Sequence, residues 1–301
     1  MTSLFCRHNR MTARCPICSK ELEAELIAKA PPRPPGIRRA PAAPRPPRPA
    51  SAARPGRLVT RRIARAEDDG YRNPLVPGVR ATADAERLAA ALALAAERIE
   101  PPGPYEAVAT EPDREQATWL ALLLALAGAG APERQDAIAA APPRFEDGEL
   151  PEPLAGHERA IAAYRQWVER TGSQTAAFGG ESDWSPQRRF ARVFERLALP
   201  GIDRATRFDL LVTLGAAGLY ELEPDTLQLS VEDDATTQAA KRALQSGDKM
   251  LLERRARDLA RACELPLAAL DRGLALWDDP GAEVESPVEP TAALRSALAL
   301  R

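Results

Sequence analysis

Leu197-Ala198-Leu199-Pro200-Gly201-Ile202-Asp203-Arg204-Ala205-Thr206-Arg207-Phe208-Asp209-Leu210-Leu211 constrains the fold more than any other stretch of the chain. Pro200 fixes its φ and ends one helix, and Gly201 permits a tight turn. Asp203 is placed to cap a second helix, because its carboxylate can accept from the free N–H groups of the next turn. Ala205, Phe208, Leu211 and Val212 then recur at helical spacing. The stretch therefore predicts two helices joined by a bend. Such a bend has a chemical use as well as a packing one. Free amides at a helix start beside a glycine can hold a phosphate, and Arg204 and Arg207 stand next to them. A tight αα-hairpin with only a packing role uses the same residues.

Around this bend the pattern predicts helices throughout. The chain is rich in alanine and leucine, and aromatic residues are 5% of its 301 positions, which favours packed helices over sheet. Ala83–Ile99 carries Leu88, Leu92, Ala95 and Ile99 on one stripe. Pro112–Leu126 is apolar all round from Trp119 and reads as a central helix. Further helices are predicted at Glu133–Ala140, Gly156–Arg170, Pro186–Leu197, from Asp203 to a stop at Gly215 or Gly218, through Lys241–Leu244, at Asp248–Cys263 and at Pro266–Trp277. Leu227–Val231 alternates as a short strand or an extended link. Tyr71–Gly78 is an ordered lead-in segment. His157 is a surface or capping residue, and Cys263 is a small core residue. The longest apolar run, Ala117 to Ala131, is too short to span a bilayer, and the N-terminus lacks the apolar core of a signal peptide. The expectation is a cytoplasmic protein with no membrane contact.

The N-terminal part differs in kind. Cys6-Arg7-His8 and Cys15-Pro16-Ile17-Cys18 together supply four soft or borderline ligands. A Cys-x-x-Cys loop lets two thiolates reach one metal, so Cys6, His8, Cys15 and Cys18 predict a structural zinc (Zn2+) site in residues 1–29. A disulfide or a redox pair are the alternatives. Residues 30–66 are dense in proline and arginine and read as a disordered linker. Of the 41 Lys and Arg, 15 fall in residues 1–66, with 3 of the 43 Asp and Glu. The remainder thus holds 26 basic and 40 acidic residues. A basic arm on an acidic body is a sign of nucleic-acid or membrane-surface contact, while the body itself suits a basic protein partner. Residues 67–278 form the helical domain in this reading, and 279–301 a mobile acidic tail with a short Ala/Leu segment, Thr291–Leu300.

The bend resembles the helix-hairpin-helix of DNA glycosylases, whose hairpin has the form Leu-Pro-Gly-Val-Gly. Leu199-Pro200-Gly201-Ile202 follows that form, and Asp203 replaces the second glycine. Taken with the Cys/His start, Tyr71-Arg72-Asn73-Pro74, the run Arg207–Gly215 and the Glu232-Asp233-Asp234 helix start, the chain is similar to the alpha-glutamyl/putrescinyl thymine pyrophosphorylase group, which stands beside those glycosylases. The resemblance implies an all-α, two-lobed body that acts on a base of DNA turned out into a pocket. It implies phosphate contact through Gly201, Asp203, Arg204, Ala205 and Arg207. It also implies a catalytic acid at the cap of a helix whose later turns are basic, for which Asp234 is the candidate and Asp233 its neighbour. Asp234 lies 33 residues after Gly201, which requires an insertion at Tyr220–Thr226; Asp225 fits the spacing better but lacks the basic helix. Adjacent acids at a helix start are also ordinary caps. Bifunctional glycosylases carry a hairpin lysine. Arg204, Ala205 and Thr206 stand there instead, so lyase chemistry is not expected. A non-catalytic zinc-dependent nucleic-acid-binding protein, or a partner-binding adaptor, is the alternative.

Overall fold

The computed structural model describes residues 66–99, 106–128, 132–147, 152–230, 234–279 and 288–300, all in one unit spanning 61–301. The cysteine/histidine motif, the proline-rich linker and Asp233 lie outside the described residues. Among the described residues the secondary structure is helical, with no strand. The helices are α1 (Thr82–Ile99), α2 (Glu106–Thr110), α3 (Arg114–Ala127), α4 (Pro132–Ala140), α5 (Glu158–Thr171), α6 (Gln174–Gly179), α7 (Pro186–Arg196), α8 (Arg204–Ala216), α9 (Ala235–Leu244), α10 (Lys249–Ala262), α11 (Leu267–Asp278) and α12 (Ala292–Ala297). The all-α expectation holds for these residues. No described helix is long and apolar enough to cross a membrane.

Two helices act as hubs. α3 is buried from Gln116 to Ala127 and packs against α2, α4, α6 and α8. Its sequence is apolar on every face because it has neighbours on every face. Asp113 opens it by accepting from the Glu115 amide. Glu115 in turn accepts from the Gln174 and Thr175 amides, so the start of α6 is capped from another helix. A chain of ring contacts runs through this region: Phe145 to Trp119, Tyr164, Trp167, Phe178 and Tyr220. Five of these six rings, Trp119, Tyr164, Trp167, Phe178 and Tyr220, are buried and fill the core beside α3. α11 is the second hub and packs against α1, α9 and α10. There the Trp277 indole donates to the Asp84 carbonyl at 3.2 Å.

Two alternatives left open by the sequence are decided here, and one expectation is corrected. Of the two glycines that could stop α8, Gly215 lies inside it, where its α-carbon faces the Leu222 carbonyl; the helix ends at Ala216, capped by Ala217 and followed by Gly218 at φ +68°. Of the strand and the extended link, Leu227–Ser230 takes the extended link. Leu227 and Leu229 bury their side chains, and their amides go to the Glu253 carboxylate rather than to a neighbouring strand. The Ala/Leu segment assigned to a mobile tail is docked. Leu294 and Leu298 are fully buried, the Tyr71 hydroxyl donates to the Leu298 carbonyl at 2.6 Å, and Asn73 donates to the Ala297 carbonyl at 2.8 Å.

Candidate functional site

α7, the bend and α8 form the predicted αα-hairpin. Ser185 caps α7, accepting from the Arg188 amide, with Pro186 at its first position. Gly201 has φ +86°, a left-handed conformation that side chains rarely adopt, and its α-carbon sits against Ala160 of α5. The residue remains exposed on its other side. Asp203 is exposed and caps α8 by accepting from the Thr206 amide at 2.8 Å. Its carboxylate thus occupies the electropositive helix start where a phosphate would sit. Ala205 is exposed. Arg207 lies over the Phe194 ring, 4.4 Å from its centre, and donates to the Asp203 carbonyl at 3.1 Å.

Arg204 is elsewhere. Although placed by sequence among the phosphate contacts, its side chain is 1% exposed. Nε donates to Asp234 Oδ1 at 2.9 Å, Nη1 to the Leu227 carbonyl at 2.6 Å, and Nη2 to Asp271 Oδ1 at 2.7 Å. The fork spends itself on internal acceptors, so Arg204 is corrected from a surface contact to an interior ion pair.

The same contact brings Asp234 to the hairpin. The acid is 16% exposed and caps α9. Oδ1 accepts from Arg204 and from the Thr237 amide, and Oδ2 accepts from the Thr237 and Ser230 hydroxyls. Burial pushes its pKa up, but the Arg204 charge and the Thr237 and Arg204 hydrogen bonds outweigh it and hold the carboxyl below its usual range. Asp234 is therefore an anion at neutral pH. Asp271 on α11 shares the guanidinium but has no solvent. Burial drives it up, Arg204 opposes, and the neighbouring Asp209 and Asp234 charges add to the rise, leaving it at about 6. Asp209 is itself paired with Arg272 at 3.1 Å. Glu253 on α10 stands on the other side of the Leu227–Leu229 link, its pKa raised by burial against the pull of the two amides it accepts from. The arrangement gathers charges from α8, α9, α10 and α11 around one arginine.

Periodicity alone did not reveal this cluster. Asp271 and Glu253 sit in helices that read as ordinary amphipathic ones. A buried position for a charged residue within an apolar stripe, as at Asp271 between Leu270 and Leu274, was the available signal.

Beside the bend, a groove of about 790 Å³ is lined by Phe145, Arg159, Arg165, Glu169 and Pro200 among others. Among the described residues no group of three or more His, Cys, Asp or Glu is arranged to hold a metal ion. No protein-family model, characterised protein or solved structure matches this chain.

Proposed function

We propose that the chain acts on a base of DNA in the manner of the helix-hairpin-helix glycosylases, without lyase activity. In this reading the α3-centred and α11-centred helix sets are the two lobes. Cys6, His8, Cys15 and Cys18 hold a structural zinc. The arginine-rich arm adds phosphate contacts. The observation that carries the reading is the 2.9 Å bond between Arg204 and Asp234, which puts a helix-capping acid beside the first turn after the Pro200-Gly201 bend.

The acid's state limits its role. A carboxylate held below its ordinary pKa is a weak base and does not donate a proton at neutral pH. It can stabilise positive charge developing on a sugar as a base departs, and the surrounding acids leave the cluster net negative after Arg204 is counted. The absence of a hairpin lysine supports hydrolysis or base transfer over imine chemistry.

A second reading is favoured by a specific observation: both Asp234 oxygens are already taken within the protein, and the exposed acid at the hairpin is Asp203. The helical body is then a scaffold or a dock for a basic partner. Asp234→Asn separates the two. Asn keeps the size and a cap acceptor but loses the charge. If the enzyme reading is right, the variant binds DNA oligonucleotides as the intact chain does and loses base release or modification by at least a hundredfold. Unchanged product formation removes Asp234 from the chemistry. Metal analysis of the purified chain is expected to give about one zinc per chain. No zinc, together with an equally stable Cys15→Ser variant, removes the metal.

A further inference from the structure

Arg204 and Asp203 leave the bend itself poorly suited to bind an anion, so the DNA-facing charge must come from elsewhere on the body. α7 supplies it. The body as a whole has more acids than bases, yet this helix of 11 residues carries Arg188, Arg189, Arg192 and Arg196 against Glu195. Arg188, Arg192 and Arg196 recur every fourth residue, so they form one ridge, and all three are exposed. Arg189 is different: it is buried and ties the helix to its surroundings. It donates to the Glu181 and Trp184 carbonyls and pairs with Glu221 at 2.9 Å.

Those bonds pin the loop before α7, and with it Trp184. The Arg188 and Arg196 guanidiniums lie 5.6 and 5.3 Å from the centre of that ring. One half-buried indole therefore gathers two cations that start two turns apart. The ring's negative face attracts each of them. It does not cancel their charge, which stays at the surface. Arg192, 55% exposed, has Glu195 at 3.1 Å, an exposed pair of small worth that an anion can displace. Glu181 and Asp183 are the acids of the preceding loop. The ridge runs about 12 Å from Arg188 to Arg196. One strand of a duplex presents three to four phosphates over that length, at about 3.4 Å of axis each. α7 then leads through Leu197 and Leu199 into the Pro200-Gly201 bend.

We propose that the Arg188–Arg192–Arg196 ridge, held on Trp184, is the contact surface of the helical body for the phosphodiester backbone of duplex DNA. The inference deepens the functional reading above and rests on it for the partner's identity. Guanidiniums suit this partner because each can make two bonds to phosphate oxygens.

The test compares the full-length chain with Arg188→Gln/Arg192→Gln/Arg196→Gln, and with the three changed to Lys. A further triple, Arg254→Gln/Arg257→Gln/Arg261→Gln, removes as much exposed charge from α10. Binding to a duplex oligonucleotide is measured across a salt series. The N-terminal arm is present in every protein, so its contribution is common to all. The ridge variant is expected to lose about 3 from the magnitude of the log–log salt slope, since each phosphate contact contributes about 0.9. Its affinity falls on the order of a hundredfold at about 0.15 M salt. The lysine variant retains most of the slope, and the α10 variant retains nearly all of it. An unchanged slope in the ridge variant, or an equal loss in the α10 variant, overturns the ridge and leaves the base-processing reading standing. No duplex binding by the intact chain at low salt overturns both. Ridge-dependent binding of polyglutamate with none of DNA overturns the DNA assignment in favour of an acidic protein. A ridge-dependent slope without base chemistry supports the ridge and sinks only the enzyme.

Discussion

Replacing Arg204 by methionine removes the guanidinium, keeps much of the stem, and leaves Asp271 without a counter-ion. The usual cost of breaking a buried pair is about 3–5 kcal/mol. Here the electrostatic part is capped, because Asp271 can take up a proton. Its pKa already stands at about 6 against 3.8 for a solvated aspartate, so the folded state bears on the order of 3 kcal/mol for it at pH 7. In the variant the pKa rises further. Carrying a proton at pH 7 costs at most about 4 kcal/mol, so the added electrostatic penalty is about 1 kcal/mol. The Leu227 carbonyl loses a buried donor, worth about 1–3 kcal/mol. Asp234 loses one partner but keeps its Thr237 bonds and some solvent. The total is about 2–4 kcal/mol at pH 7. A group with a raised folded-state pKa gives its full contribution below its unfolded pKa and loses it as pH rises through the folded one. For Asp271 that window runs from about 4 to about 6 in the intact protein and extends higher in the variant. The stability gap should therefore widen between about pH 5 and pH 8, by roughly 2 kcal/mol. Urea unfolding followed by circular dichroism at about pH 5, 7 and 8 measures it. A gap that is flat with pH, or below about 1 kcal/mol at pH 7, refutes the account of this cluster. Arg204→Met with Asp271→Leu should recover most of the loss, since an apolar pair needs no counter-ion.

Two other substitutions test the frame around the site. Glu253→Gln offers one acceptor where Leu227 and Leu229 each need one, and should cost about 1–3 kcal/mol in urea unfolding. Because burial raises the Glu253 pKa, the intact protein's own contribution fades as pH rises through that value; the deficit of the variant should shrink at higher pH, and a deficit independent of pH argues against a buried carboxylate. Gly78→Ala would drive a methyl into the Arg242 carbonyl, beside the Gly78 amide's own 2.9 Å bond to the Ala243 carbonyl. A loss of at least about 2 kcal/mol is expected, and a thermal midpoint within a degree or so of the parent would show that α9 and this turn are not in contact.

Local pattern carried the helices and not their partners. The stripe of Leu88, Leu92 and Ala95, the all-apolar Trp119 run and the Ser185-Pro186 start each state a helix within a few residues of the chain, and α1, α3 and α7 form there. Ser173 caps α6, but a helix of six residues is too short to show a periodic stripe, and the sequence reading passes over it. Arg204 shows the limit most clearly. Next to exposed Asp203 and Ala205 it looks like a surface residue. Its inward turn is set by Asp271, 67 positions away, and no local period encodes that. The docking of Thr291–Leu300 is of the same kind, because its hydrogen-bond partners Tyr71 and Asn73 lie 227 and 224 positions earlier. Asp234 was singled out by the resemblance and by its place at a helix start, and its tie to the hairpin became visible only with Arg204 in place.

That clasp between Tyr71, Asn73 and the α12 turn joins the two extremities of the helical body. Any load applied between residue 71 and residue 298 falls on these two hydrogen bonds together with the buried Leu294 and Leu298 side chains. Loosening the Leu294 and Leu298 seat would also release Tyr71 and Asn73, so the first and last described stretches of this body hold or let go together.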